Sequence, residues 1–477
     1  MERQADSSSS TNLRSSGATR RRVRLPAVGA NAADHATVYF FLQSVFQGPS
    51  AAEFQASLDD PFYEPHDRLL LRQWRRIVAH VHVSHRTMHF GPTTIPIAGL
   101  GWLGVAAEYR GQGLGAHLLR AAEVRMETDG ALLGLLRTSI PRFFRRAGWA
   151  VCAAASYRRV DACALLARLL DRRMIPRRRR FHVRPLLRWE YPTLARIYAQ
   201  NVLHSQLPPT SNVDSSEPEH WPKHSRGPID GCTAHGPLER TEAYWKWLLD
   251  RRAYDQLYVA LEGPELLDMD ETSTRVVGYA ATRGEQILEL MVAPDRPRAA
   301  VELLARCCGE AIEHGRHCVL LHAPPSSPLL RVFDDADGIG HPATSEHGET
   351  YMMRLFNPLG LLRRLRGEFD RRAVGACLPR PLDLGLLVEG RKYQLELGRE
   401  GVHASSRRIG RSYLRLGAVD FTRLVLGLLD WDAATAEGRL ECSTSLAHEA
   451  GRALFPQLHF WRPPWDDLPA AEQGGNP

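Results

Sequence analysis

Apolar and polar positions alternate along this chain in two periods, and their switching points predict the elements. "HATVYFFLQSVF" (His35–Phe46) carries its apolar side chains at helical spacing and predicts an amphipathic helix. Two strands follow, "RLLLRQW" (Arg68–Trp74) and "RIVAHVHVSHRTMHF" (Arg76–Phe90). In the second, Val81 and Val83 alternate with His82 and Ser84. After a "GPTT" turn, "IPIAGLGWLGVAA" (Ile95–Ala107) is apolar almost throughout, as in a strand covered on both faces. "GAHLLRAAEVRMETDG" (Gly115–Gly130) spaces Leu118, Leu119, Ala122 and Met126 along one helix face. A buried strand "ALLGLLRTS", a short helix "IPRFFRRAG" and a strand "WAVCAAASYRRV" close the run. The order α-β-β-β-α-β-α-β predicts one mixed sheet with helices on it, an α/β (α+β) fold.

The pattern then starts again. "LLARLLDRRMIPRRRRF" (Leu165–Phe181) reads as a connector, with Arg177–Arg180 as a solvated charge run. Beyond it, "FHVRPLLRWEYPTLARIYAQN" predicts strand, turn and helix, and "QLYVALE", "RVVGYAATR" and "CVLLHAP" predict strands. The strand-turn-helix of "LGVAAEYRGQGLGAHLLRAA" recurs as "ELMVAPDRPRAAVELLARCC", the mark of a divergent internal duplication. Between them the Pro-rich "SQLPPTSNVDSSEPEHWPKHSRGPIDGC" predicts an exposed loop. From about Gly367 the strands shorten ("LGLLVEGRKYQLELG", "GVHASSR", "RSYLRLG") and two apolar helices follow, "AVDFTRLVLGLL" and "LAHEAGRALFP". The expected organisation is a disordered Ser/Arg-rich tail over 1–34, a first domain over 35–163 and a linker over 164–179. A second domain over 180–358, a third α+β domain over 366–468 and a loose tail over 469–477 complete it.

Composition changes this picture little. The chain has 477 residues, 44% hydrophobic and 24% charged, as expected of a globular protein. Its net charge of +7 comes from 61 basic residues, of which only Lys223, Lys246 and Lys392 are lysine. Arginine is spread through every segment, with no stripe interleaved with aromatics, which argues against nucleic acid as a partner. The 8 cysteines include no C-x-x-C and no zinc spacing, so buried free thiols, a cytoplasmic location and no metal are expected. No apolar run reaches the roughly 20 residues of a membrane helix, and the N-terminus lacks the apolar core of a signal peptide.

The candidate chemistry lies in "VAAEYRGQGLGA" (Val105–Ala116), where Gly111, Gly113 and Gly115 crowd between a buried strand and a helix. A helix start leaves N–H groups without partners and carries positive dipole charge, and a diphosphate satisfies both. Glycine lets backbone approach phosphate, since a Cβ would collide. The same glycines also suit a tight turn with no ligand, so the loop alone leaves both readings open. No Gly-Lys-Ser/Thr follows, and the strand is not the first of a βαβ unit, which sets aside a P-loop and a dinucleotide fingerprint.

R-x-x-G-x-G/A after a fourth strand resembles the acetyl-CoA loop of the GNAT acetyltransferase superfamily. The wider run "IPIAGLGWLGVAAEYRGQGLGAHLL" is similar to the enhanced-intracellular-survival type, which has tandem GNAT domains followed by a sterol-carrier-protein-like domain. The resemblance extends from about residue 36 to 468, with a specific motif only in the first domain. It implies an N-acetyltransferase that moves the acetyl group of acetyl-CoA to a small-molecule or peptide amine by direct attack. Leu103, Gly104 and Val105 would pair with the pantetheine arm, and one N–H would polarise the thioester carbonyl. Arg110, Gly111, Gln112, Gly113, Leu114, Gly115 and Ala116 would hold the diphosphate, and Ser139 and Ile140 would flank the thiol end.

The resemblance also marks departures. The family's general acid is a tyrosine in Y-x-R-x-G-[YFW]; here "FFRRAGW" puts Phe144 in its place, and phenylalanine has no proton to give. That leaves a slow enzyme or an acetyl-CoA- or lipid-binding module as alternatives, with the catalytic groups unassigned. The family's terminal carboxylate, a base, is expected to be overshot by "PAAEQGGNP". Asp466 or Asp467 could replace it, although a solvated acidic turn is the plainer expectation. The second domain has Arg296-Pro297-Arg298-Ala299-Ala300 where the loop should be and reads as structural, shaping the cleft and an interface in a homo-oligomer. "YWKW" (Tyr244–Trp247) reads as core packing; "VDFTRLVLGLL" would line the cavity of a sterol-carrier fold, although plain core is the usual role of Leu and Val at helical spacing. Asp59, Asp60, Glu64 and Asp67 are expected to be exposed and able to attract a cationic substrate.

Overall fold

The apolar runs fold as three sheets. The computed structural model describes residues 25–152, 156–171, 181–204, 235–263, 275–324, 327–342, 350–458 and 460–466. The expected loop over 205–232, the arginine run 177–180 and the tails before 25 and after 466 lie outside the described residues.

The first half of the chain gives β1 (Ala27–Gly29), α1 (His35–Phe46), α2 (Ala51–Leu58), β2 (Arg68–Gln73), β3 (Arg76–Phe90), β4 (Thr93–Val105), α3 (Leu114–Thr128), β5 (Leu133–Thr138), α4 (Pro141–Arg145), β6 (Ala150–Val151) and β7 (Ser156–Asp161). After α5 (Ala162–Asp171) come β8 (Phe181–Pro185), α6 (Tyr191–His204), β9 (His235–Leu238), α7 (Glu242–Asp250), β10 (Gln256–Glu262), β11 (Arg275–Arg283), β12 (Gln286–Val292), α8 (Ala299–Glu313), β13 (Cys318–His322), α9 (Pro328–Asp334), β14 (Ile339–Pro342) and β15 (Thr350–Leu355).

The first sheet runs β1-β2-β3-β4-β5-β15-β6, with β9 on the far end of β3; the second runs β8-β10-β11-β12-β13-β7-β14. The two orders are the same except that each sheet takes its next-to-last strand from the other half of the chain. β15 fills the slot between β5 and β6, pairing antiparallel with Leu133–Thr138, and β7 fills the slot between β13 and β14. This reciprocal exchange supports the internal duplication. It also corrects the reading of "WAVCAAASYRRV" as one strand closing the first domain: β6 and β7 lie in different sheets.

Further corrections are local. Within the tail expected over 1–34, Ala27–Gly29 form β1, which pairs with Leu69–Leu71, and Asn31 caps a 3-10 turn. The linker expected over 164–179 begins as helix. In α5, Ala162, Leu165 and Leu169 are buried, and Leu165 and Leu169 share a core with Leu303, Leu304 and Cys307 of α8.

The third unit follows α10 (Pro358–Arg364) and α11 (Arg366–Gly375). Its strands are β16 (Leu382–Val388), β17 (Arg391–Gly398), β18 (Gly401–Ser405), β19 (Tyr413–Leu416) and β20 (Leu440–Cys442), in the order β18-β17-β16-β19-β20. Helices α12 (Ala418–Val425), α13 (Trp431–Ala436) and α14 (Ser445–Leu454) cover it. The apolar face of α12 packs into this core, with Phe421 stacked parallel on Tyr393 at 6.0 Å between centroids. The open cavity beside α12, about 510 Å³, is lined by Leu387 and Leu416 together with Glu389, Arg415, Asp420 and Arg439.

The YWKW reading holds: Tyr244, Trp245 and Trp247 are buried. Seven described cysteines are free; Cys307 and Cys308 are buried as expected, but Cys163 and Cys377 are exposed. Among the described residues no helix is long and apolar enough to cross a membrane.

Candidate active site

The site begins where two parallel strands part. β4 pairs with β5 only from Ile97↔Leu133 to Leu100↔Leu136, so among the described residues no strand pairs with the last five residues of β4 on that side. On its other edge β4 stays paired with β3, through a bulge that sets His80 against Gly104 and His82 against Gly101. Trp102 and Leu103 there stand opposite the single residue Val81, and Trp102 takes a left-handed φ of 53°. Ala106 N–H donates to Val78 O at 2.9 Å, so Val78/Ala106 and His80/Gly104 are the pairs that exchange bonds. Leu103 and Val105 alternate with them and turn their backbone groups away from β3, into the gap. Gly104 is required by a close approach: a Cβ there would lie 2.7 Å from the Phe46 ring of α1.

Beyond the gap stands the mouth of α3. Gly111 and Gly113 hold φ of 75° and 81°, conformations that favour glycine, and nothing lies within 4 Å of where a Cβ would sit on either. Gly113 is the N-cap, and no side chain caps the helix. Tyr109 N–H and Arg110 N–H are bonded within the turn before it, and His117 N–H reaches Gly113 O. Between them, among the described residues, no acceptor meets the amides of Gly111, Gln112, Gly113, Leu114, Gly115 and Ala116. Six consecutive donors with the positive end of a 15-residue helix behind them form an anion cradle. Arg110 and Gln112 brace it, donating to Val105 O at 3.2 Å and Glu108 O at 3.4 Å. Ser139 and Ile140 follow β5 across the gap; Ile140 is exposed and its N–H donates to Thr138 Oγ1 at 3.0 Å.

The corresponding turn of the second unit forms no such cradle. Arg296, Ala299, Ala300 and Val301 donate their amides to Ala293, Arg296, Pro297 and Arg298 carbonyls, and Ala299 and Ala300 are buried. Arg296 Nε is spent on Glu262 at 2.7 Å. The same strand-turn-helix is thus open in one half of the duplication and closed in the other.

Several expected site residues have other occupations. Phe144 is buried against Phe143 and Trp149, with ring centroids at 4.9 and 6.2 Å. Asp60 is buried in an ion pair with Arg86, and buried Asp67 lies 3.7 Å from His85 Nε2, with burial raising its carboxyl pKa. Both are corrections to the exposed acidic loop. Asp466 is not a solvated turn either. Its carboxylate is buried with Arg240 (Nε to Oδ1, 2.9 Å), which also grips buried Glu289 (Nη1 to Oε1, 2.9 Å). Burial works against the Arg240 charge, but Asp466 and Glu289 more than offset it and hold the guanidinium pKa well above its ordinary value. Burial raises Glu289, and Arg240 pulls it back. Asp467 lies outside the described residues.

The sequence does not reveal the polar cluster beneath β4. Alternation along β3 puts His80 and His82 on a polar face, yet both are buried. They share the space with buried Arg68, against Phe41 of α1, Phe54 of α2 and Tyr63. Only their number on one strand is a signal.

Residues 29–152 match the family described as "Acetyltransferase (GNAT) domain". No curated protein sequence matches the chain. Among solved structures it is similar to a GCN5-related N-acetyltransferase from Kribbella flavida, at 15% identity and a TM-score of 0.65, covering 94% of this chain and 98% of that one. A GCN5-related N-acetyltransferase from Anabaena variabilis is similar at 15% identity and a TM-score of 0.65, covering 92% and 99%. Eis1 from Mycobacterium abscessus is similar at 14% identity and a TM-score of 0.58, covering 92% and 99%. At these identities the likeness concerns the fold, over nearly the whole chain. A GNAT domain supports acyl transfer in general.

Proposed function

We propose that this protein transfers the acetyl group of acetyl-CoA to an amine by direct attack. The observation that carries the reading is the uncapped mouth of α3: six bare amides and two left-handed glycines beside the β4–β5 gap. The cradle fits a diphosphate in charge, donor number and clearance. The pantetheine arm then runs along the unpaired edge of β4, where Leu103 and Val105 offer backbone groups. Acetyl-CoA supplies the activated acyl group; the chain binds and orients it and polarises its carbonyl through the Leu103 amide. The amine nitrogen bonds to the carbonyl carbon and the C–S bond breaks; the departing thiolate takes a proton from water, since position 144 offers none, and the hydroxide so formed takes the proton that the attacking nitrogen gives up.

The remaining organisation follows the same reading: a catalytic first unit, a second unit with a closed helix mouth that acts as scaffold, and a sterol-carrier-like third unit in a cytoplasmic enzyme. A second reading, an acetyl-CoA- or lipid-binding module without useful turnover, is favoured by buried Phe144. Calorimetry with acetyl-CoA and thiol-release assays over a panel of small-molecule and peptide amines separate the two. Saturable binding with turnover supports the enzyme, binding without turnover supports the module, and no binding removes both acetyl-CoA readings.

A further inference from the structure

We propose that His80 is the positioning residue that aims the Leu103 amide into the β4–β5 gap, by holding the Trp102 carbonyl. The proposal rests on the acetyl-CoA reading above and concerns how this chain sets its carbonyl-polarising donor.

The geometry starts from one peptide plane. Trp102 C=O and Leu103 N–H belong to the same trans peptide, so they point in opposite directions. His80 Nδ1 lies 3.0 Å from Trp102 O. A carbonyl drawn toward β3 by His80 leaves the Leu103 N–H aimed away from β3, where β5 no longer pairs. The plane sits at the bulge, next to a left-handed tryptophan, where ladder bonds alone do not fix it.

The donor role of Nδ1 is set from the other side of the ring. Arg68 Nη1 lies 3.4 Å from His80 Nε2, and a guanidinium only donates, so Nε2 is the acceptor and Nδ1 carries the hydrogen. Arg68 is itself fixed. Its Nε donates to Tyr63 Oη at 3.1 Å, its Nη2 to Ser57 Oγ at 2.8 Å, and its plane covers the Phe54 ring at 4.9 Å. Among the described residues no carboxylate forms an ion pair with it. Its charge therefore reinforces burial in keeping His80 neutral, with a pKa pushed down to about 3. The chain Ser57/Tyr63–Arg68–His80–Trp102 O fixes tautomer, ring and peptide plane in turn, and its two central members, Arg68 and His80, are buried.

The test is the infrared stretch of carbonyl-labelled acetyl-CoA bound to the full-length protein, with calorimetric Kd alongside. In the wild type the bound carbonyl should absorb at lower frequency than free acetyl-CoA. His80→Asn places an amide nitrogen near the Nδ1 position and should keep most of that shift. His80→Gln places it near Nε2, and should lose the shift, with Kd within about threefold of His80→Asn. Where turnover is present, kcat should fall about 10²-fold in His80→Gln, the scale of a misaimed catalytic group, with KM little changed. Equal shifts in the two variants overturn the proposal. So does a wild-type carbonyl at the free frequency, a result that needs no variant to fold. Wild-type protein that fails to bind acetyl-CoA removes the underlying reading instead, so the two failures are told apart.

Discussion

Gly113→Asp separates binding from stability and puts the cradle at risk directly. Gly113 holds φ 81°, and a Cβ added there meets no atom of the described residues within 4 Å. The only folding cost is the left-handed conformation, about 1 kcal/mol, and aspartate is among the residues that tolerate it best. Binding is another matter. The added carboxylate enters the space assigned to the diphosphate, and two like charges about 5 Å apart at an effective dielectric of about 20 repel by about 3 kcal/mol. At 1.4 kcal/mol per tenfold, that weakens acetyl-CoA by about 10²-fold, before counting the blocked amides. Gly115→Ala is the stability control: its Cβ would sit at ordinary contact distance, 3.6 Å from Val105 and 3.7 Å from Phe143, and should leave the melt near wild type. Calorimetric titration with acetyl-CoA and thermal melts of the three proteins read the outcome. A Gly113→Asp variant that melts like wild type and binds acetyl-CoA within threefold of it refutes the cradle.

Three other outcomes follow from the fold. Arg240→Met strands Glu289 and Asp466 as buried carboxylates without their cation, and should cost about 3–5 kcal/mol by urea unfolding; a loss below about 1 kcal/mol contradicts the triad. His80, with its pKa pushed down to about 3 by burial and then by Arg68, binds its proton far less readily folded than unfolded. Stability therefore rises with pH between about 3 and the unfolded value near 6.5, and acidifying from pH 7 to 4.5 should remove about 3 kcal/mol through this residue. His80→Asn should show a shallower pH slope in urea midpoints, and an unchanged slope counts against the assignment. A fragment ending at Asp161 carries β7 without its second-sheet partners and lacks β15, so it should show no cooperative melt by circular dichroism; appending residues 350–355 through a linker should improve it.

Local signals in the sequence are enough for the strands and helices around the site. His35–Phe46 is a helix over the expected span, and Val105–Ala116 runs from strand into turn and helix. The glycines are legible because a positive φ and a bare approach leave few residue choices. Non-local pairings are not legible. Nothing in "SYRRV" or "TYMMRL" states which sheet it joins, since a strand's apolar pattern records burial and not its neighbour. The His80/His82 face reads as polar because the helices that cover it are separate elements, and Arg68 makes that burial tolerable only in three dimensions. Asp60, Asp67 and Asp466 escape the sequence for the same reason: their partners Arg86, His85 and Arg240 are distant along the chain from the acids they hold.

The most direct measurement is a crystal structure of the full chain with coenzyme A. Diphosphate oxygens should lie within about 2.7–3.2 Å of several amides between Gly111 and Ala116, the range of N–H···O bonds, with the pantetheine arm along Leu103–Val105. Coenzyme A lying elsewhere, or a diphosphate held by side chains alone with those amides turned inward, would contradict the cradle.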